Sequence, residues 1–203
     1  MSAQGNAYEV ALFGEFFSRD LKAILNRITL HSESSLRMHT REVVFEPVDA
    51  QFQRDMGSEP ILLRAKKELT GKDEGWILYS YLKPESVRAH PEATVRPWAT
   101  CHVIGDALSF AQALGHTRRS QIYKRGYLFR RGSLVIQMFQ QEQVEPSTQE
   151  PIPAHPDTLW EVEVKTATPI RNTQETPISQ SIEAVLEVQL LMKGILDLRR
   201  QDV

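Results

Sequence analysis

Cysteine is almost missing from this chain: Cys101 is the single one among 203 residues. One thiol closes no intrachain disulfide, and nothing here points to an oxidising compartment. Long apolar runs are missing as well. No stretch approaches the ~20 residues needed to span a bilayer, and the opening MSAQGNAYEV has neither a basic region nor an apolar run of signal-peptide type. A cytosolic or nuclear protein without a membrane contact is expected. A charge excess is missing too, since 24 Lys and Arg against 26 Asp and Glu leave a net charge of -2. That balance gives no broad electrostatic footprint for nucleic acid or anionic lipid. No basic cluster of nuclear-localisation type stands out, so nuclear entry would rely on a partner.

The usual signatures of chemistry are equally scarce. There is no Gly-x-Ser-x-Gly elbow, no phosphate-cradling P-loop and no dinucleotide glycine fingerprint. The six histidines (His31, His39, His90, His102, His116, His155) are scattered, and none stands with Cys101 at zinc-ligand spacing. Cys101 itself falls in a strand-like run and is expected to be a buried small hydrophobe. No catalytic residue, metal or cofactor is therefore assigned. No internal repeat of solenoid length is present.

What is present reads as one domain rich in strands. Hydrophobic residues at 41% and charged residues at 25% are globular proportions. AYEVALF (7–13), closed by Gly14, suits a first strand. Ser18 is expected to cap a helix carrying Leu21, Ile24, Leu25 and Ile28. REVVFEPV (41–48) reads as a strand, and the polar 49–59 as a loop. PILLRAKKEL (60–69) and GWILYSYL (75–82) form a strand pair around TGKDEG. TVRPWATCHVI (94–104) is a further strand, with Pro97 at a bulge or edge. GDALSFAQALG is a short helix, capped by Asp106 and stopped by Gly115. SQIYKRGYLFRRGSLVIQMF (120–139) is the clearest hairpin, turning at RRGS. A Pro-, Ser- and Gln-rich flexible loop covers 145–157. A C-terminal helix runs over about 177–200, with Thr176 as N-cap and Pro177 at its first position. Seven to nine strands with many hairpins predict a mainly β fold with flanking helices, an antiparallel sheet curled or closed to hide its edges.

LWEVEVKT (159–166) places Glu161, Glu163 and Lys165 on one face of a strand and Val162 and Val164 on the other. Such a Glu-x-Glu-x-Lys strand serves triphosphate-hydrolysing tunnels, where carboxylates hold a metal that activates water. Those tunnels need a second Glu-x-Glu across the barrel. The first strand offers Glu9 and then Ala11 where a carboxylate is required, and Glu46 and Asp49 stand at the wrong parity across Pro47. Arg64, Lys66 and Glu68 share a face, but a basic face does not replace missing ligands. The strand is thus expected to pack its valines, with its glutamates toward water, a partner, or a basic neighbour such as Arg64 or Lys66.

Two other features bear on partners. Arg118, Arg119, Lys124, Arg125, Arg130 and Arg131 are interleaved with Tyr123, Tyr127 and Phe129. Nucleic-acid backbone binding is one reading, and the solvated face of a hairpin, with Tyr127 and Phe129 in the core, is the favoured one. On the C-terminal helix, Ile178, Ile182, Val185, Leu186, Leu190, Leu191, Ile195 and Leu196 cover more than a core stripe needs. The surplus fits burial against the sheet plus another chain, or a helix docked wholly on its own barrel.

In their order and spacing, PILLRAKK, GWILYSYLKPE, VRP, the short helix ending in LG, YKRGYLFRRGSLVIQMFQ and LWEVEV resemble the family of Mediator head-module subunit 18, of fungal type. Its most specific parts here are Arg64-Ala65-Lys66, Tyr81-Leu82 before Pro84-Glu85, Leu114-Gly115, and Gly126 to Gly132. Lys83 departs from the glycine expected in the turn before Pro84. The resemblance implies a multistranded antiparallel β-barrel of the triphosphate-tunnel, RNA triphosphatase-like type, without the full catalytic set. It implies a nuclear, noncatalytic coactivator subunit that pairs with the barrel of Mediator subunit 20. A C-terminal helix of subunit 8 would tether the pair to the head module, supporting RNA polymerase II transcription with no direct nucleic-acid contact. The expected contact residues are Leu21, Leu25, Leu190 and Leu191. The alternative is a metal-dependent triphosphatase or phosphate-binding tunnel protein.

Overall fold

The computed structural model describes residues 7–71 and 75–201; the centre of the expected TGKDEG turn lies outside them. In chain order the elements are β1 (Ala7–Phe16), α1 (Leu21–Leu30), β2 (Ser34–Pro47), α2 (Ala50–Asp55), β3 (Leu63–Glu68), β4 (Trp76–Tyr81) and β5 (Thr94–Val103). There follow α3 (Ala107–Ala113), β6 (His116–Arg131), β7 (Leu134–Val144), β8 (Pro151–Ile152), β9 (Trp160–Thr166), β10 (Ile170–Arg171) and α4 (Ile178–Met192). Eight strands close on themselves in the order β1, β5, β4, β3, β2, β6, β7, β9, with β9 returning to β1. Every pairing is antiparallel. Closure removes the unpaired edges that a sheet of this size would otherwise expose.

Alternation along the strands sorts the chemistry. Outward residues of β1, β9, β7 and β6, among them Leu12, Val162, Val164, Ile136 and Phe129, form the main core with Ile24 and Ile28 of α1 and Ile182, Val185 and Val188 of α4. A smaller core lies outside the opposite wall, where Val43, Ala65 and Leu78 meet Ala107 and Ala111 of α3. Both apolar cores therefore sit between barrel and helices, while the inward positions carry charge. At the β6–β7 contact, the inward Gly126 faces Phe139. A Cβ there would fall 2.0 Å from the Met138 carbonyl oxygen, so only glycine fits this close approach.

Several expected details differ. Ser18 caps no helix: its hydroxyl donates to the Pro156 carbonyl, and α1 begins at Leu21 after a single 3₁₀ turn. Thr176 likewise turns its hydroxyl back to Arg171, and Pro177 takes the cap position. The Asn172 side chain accepts the first free N–H, that of Ile178. The C-terminal helix, expected to about 200, stops at Met192, because Gly194 adopts a left-handed φ of 87°. Beyond it Leu196 and Leu198 are buried, and Arg199 bridges to Phe13 of β1. The expected loop at 49–59 contains α2. The segment 145–157 folds back, since Pro151 and Ile152 pair with Val144 and Gln143. Asp106 does cap α3, accepting from Leu108 and Ser109, and Gly115 stands at φ 80°.

Candidate functional site

The inward face of β9 places Glu161, Glu163 and Lys165 inside the barrel. Across β1 they meet Glu15, Phe13 and Ala11, and across β7 Phe139, Gln137 and Val135. The missing acidic position is thus structural fact: Ala11 stands directly opposite Lys165. The glutamates do not face Arg64 or Lys66 as ion-pair partners. Glu163 accepts from Lys124 at 3.1 Å and is joined to Lys165 on its own strand. Lys124, on β6, was grouped with a surface cluster by sequence alone; strand alternation instead sends it inward at the level of Thr40.

Two ion-pair clusters follow. Lys124 also approaches Glu42 at 3.4 Å, and Arg64 reaches the other Glu42 oxygen at 2.9 Å. Farther along the barrel, Arg96 holds Glu9 at 2.7 Å, Tyr81 donates to the same carboxylate at 2.8 Å, and the guanidinium lies 3.4 Å from the centre of the Tyr81 ring. Burial pushes the Glu163 carboxyl up, but Lys124 and Lys165 outweigh it and hold it far below the usual range. Glu42 behaves alike: burial is overcome by Lys124 and Arg64. Lys124 and Lys165 are held up in turn, burial being outweighed by Glu163. Glu161, toward one rim and hydrogen-bonded by Gln141, is pushed up by burial.

Lys66 is different. It points inward from β3 beside Arg64, yet among the described residues no carboxylate comes within ion-pair distance and no acceptor takes its protons. Its ammonium lies 5.8 Å from the centre of the Tyr79 ring. Burial, and then Lys165, push its ammonium down to about 8. Among the described residues no group of three His, Cys, Asp or Glu is placed to hold a metal ion. Glu9, Glu42 and Glu163 are committed to lysine and arginine, so these carboxylates neutralise buried cations as the interior stands.

The other named residues separate by face. Tyr127 and Phe129 point outward into the main core, so the basic segment is split between the two faces of β6. Cys101 is exposed, not buried: after Pro97, β5 pairs among the described residues with β4 alone. Leu21 and Leu25 pack on the core, Leu191 is half-buried, and Leu190 is 71% exposed. Leu190 borders a groove of about 940 Å³ with Phe17 and Ile195, between the start of α1 and the end of α4. No helix among the described residues is long and apolar enough to cross a membrane.

Known proteins agree with this geometry. No curated protein sequence matches the chain significantly. Among solved structures, a chain of the Schizosaccharomyces pombe Mediator head module superposes with a TM-score of 0.77 at 16% identity, covering 97% of this chain and 100% of that one. A Pyrococcus horikoshii protein gives 0.58 at 13% identity, over 95% and 94%. The Mimivirus capping-enzyme triphosphatase gives 0.54 at 10% identity, over 95% and 92%. At these identities the likeness is one of fold, and the fold is the triphosphate-tunnel barrel. The sequence model of the Med18 protein family matches residues 70–203, well over half the chain, from the β3–β4 turn to the C-terminus. The chain belongs to the Med18 family.

Proposed function

We propose that the protein is a noncatalytic subunit of the Mediator head module, working in the nucleus in RNA polymerase II transcription. The observation that carries this reading is the pairing of the family match with a full-length superposition on a chain of the S. pombe head module. In such a subunit the barrel presents surfaces: one for the similar barrel of subunit 20, and one groove for a helix of subunit 8. A helix seated in a groove uses apolar anchors at i, i+3 or i+4, and i+7. The groove beside Leu190, with Phe17 54% exposed, has the apolar lining such a guest needs. Noncatalytic action is supported by Ala11 opposite Lys165 and by the two lysines occupying Glu163.

Co-expression with subunit 20 and a tagged C-terminal segment of subunit 8 tests the reading. A stable ternary complex is expected, and Leu190→Asp should weaken capture of the subunit 8 segment about tenfold or more without lowering the stability of the free barrel. No association of the wild-type chain with either subunit would sink it. So would magnesium- or manganese-dependent phosphate release from triphosphates that disappears in Glu161→Gln.

A further inference from the structure

The outer wall of the barrel carries a row of cations that meet no carboxylate. On β2, Thr40 and Glu42 line the lumen, so Arg41 between them faces outward, and it stands directly opposite Lys67 of β3. Like charges facing each other across a strand pair destabilise it. Cations that guard a free sheet edge give a similar composition, but β2 is paired here on both sides, with β3 and with β6. On β6, Arg118 joins the row. Its Nη2 donates to Gln121 Oε1 at 2.6 Å, the same oxygen that accepts from Nε and Nη2 of Arg41 at 3.1 and 2.8 Å. The exposed Arg37 and Arg119 flank the row on β2 and β6.

The acidic residues around this row are spent or stand aside. Glu142 is buried and holds Arg125 and His39, and Glu46 holds Arg54. Glu68 accepts from the His39 N–H, from Thr40 and from Thr70. Glu145 and Glu150 lie in the segment after β7, and among the described residues neither reaches a cation at ion-pair distance. Among the described residues, Arg37, Arg41, Lys67, Arg118 and Arg119 have no carboxylate at that distance. Two guanidiniums thus converge on one neutral carboxamide oxygen, and Arg118 reaches a second at Gln149. This is the planar grip that arginine uses on a carboxylate, closed on partners that carry no charge.

The neighbouring aromatics decide the class of guest. A single-stranded nucleic acid stacks its bases on free aromatic faces. Trp76 is buried, and the charges of Arg41 and Lys67 lie over its ring at 5.8 and 5.9 Å from the centre. Tyr127 stacks on Phe129 and Trp160 and carries Arg37 over its ring at 5.6 Å. Both rings are taken, so the wall offers cations without a stacking platform. That combination suits carboxylates.

We propose that this outer wall docks an acidic segment of a partner protein, its Asp or Glu carboxylates seated on Lys67, Arg41 and Arg118. Arg37 and Arg119 steer its approach. The guest carboxylate displaces the Gln121 carboxamide from the two guanidiniums. On an extended segment alternate side chains share one face at about 7 Å spacing, so acids at every second residue present a matching row. Arg41, Lys67 and Arg118 line neither the groove beside Leu190 nor the lumen. The proposal therefore stands apart from the head-module reading and from any chemistry inside the barrel.

The experiment is fluorescence polarisation of a labelled, end-capped peptide of alternating Glu and Gly, about twelve residues and so about 40 Å when extended, titrated with the full chain. Saturable binding with a dissociation constant of about 10–100 μM is expected at low salt, weakening as salt is added. Arg41→Gln and Arg118→Gln should each weaken it about three- to fivefold. Gln121→Glu supplies the carboxylate from within the chain, so it should weaken binding about tenfold and raise the melting temperature of the free protein. Lys22→Gln, the same change of charge on the exposed side of α1, leaves the affinity unchanged. Thermal melts establish that each variant is folded, and Gln121→Glu serves if an arginine variant is not. No saturable binding up to about 1 mM chain overturns the proposal. Unchanged affinity in Gln121→Glu overturns it too, as does an equal loss in Lys22→Gln and Arg41→Gln, which would report bulk charge alone. Tighter binding of a single-stranded oligonucleotide of equal charge, lost in the same arginine variants, would make the wall a nucleic-acid surface and overturn it as well.

Discussion

Lys66 carries an ammonium into a barrel whose other cations are already paired, and its stability cost has a definite sign. Its folded proton affinity lies at about 8 against an ordinary 10.5, because burial and Lys165 disfavour the charge. Below pH 8 both folded and unfolded forms are charged and the penalty is present in full; between 8 and 10.5 the folded form sheds the proton first and the penalty lifts. Lys66→Met is therefore expected to stabilise the free protein by about 1–2 kcal/mol near pH 7, with the gain shrinking by pH 10. Urea unfolding at several pH values measures this. The opposite sign holds at Glu163, which joins Lys124 to Lys165. Glu163→Gln leaves two buried ammoniums short of their shared counter-charge and should cost about 3–5 kcal/mol. Urea unfolding of this variant at pH 7 checks the second value. Sequence made the parity of Glu161, Glu163 and Lys165 legible, since alternation needs no partner information. It could not supply Lys124, because the identity of the strand facing β9 across the barrel depends on closure.

At the scale of elements, strands are legible in the sequence and helix ends are not. Hairpin signals such as Gly132 with its positive φ are local, and β6 and β7 pair around it over their whole overlap. Caps are settled by competition. Asp106 finds the free N–H groups of α3 within three residues, whereas the hydroxyls of Ser18 and Thr176 are drawn to the carbonyls of Pro156 and Arg171. The end of α4 is not legible in the sequence because the apolar pattern continues through Ile195, Leu196 and Leu198, although these belong to a tail laid along β1. That tail is structural. Gln189 on α4 donates to the Leu198 carbonyl, and the Leu198 side chain is 1% exposed within the main core. Leu198→Ala should cost about 2–4 kcal/mol and loosen the tail from β1. Denaturant midpoints give the first quantity, and amide exchange at Phe13 and Arg199, which bond each other's backbones, gives the second.

For the molecule as a whole, two kinds of interior answer to different conditions. The apolar cores beneath α1, α3 and α4 hold the helices to the outside of the barrel and are insensitive to pH. The charged lumen ties β2, β3, β6 and β9 together through Glu42 and Glu163, and β1 to β5 through Glu9 and Arg96. Glu42 and Glu163 both have folded proton affinities below the ordinary carboxylate value of 4.5. Their contribution is complete above that value and is lost as pH falls from it toward their depressed folded values, where the unfolded chain binds protons first. The urea midpoint should therefore stay level from about pH 7 to 5 and then drop steeply in acid. Glu163→Gln should lower the plateau and flatten the acid slope, since one of the two linked protonations is gone. An unchanged slope in this variant would place the acid sensitivity elsewhere than in the lumen. Loss of near-ultraviolet signal ahead of far-ultraviolet signal on acidification would show the lumen opening before the strands separate, and coincident loss would show one cooperative barrel. The two clusters together draw on seven of the eight strands, Tyr81 bringing in β4, so the coincident outcome is expected.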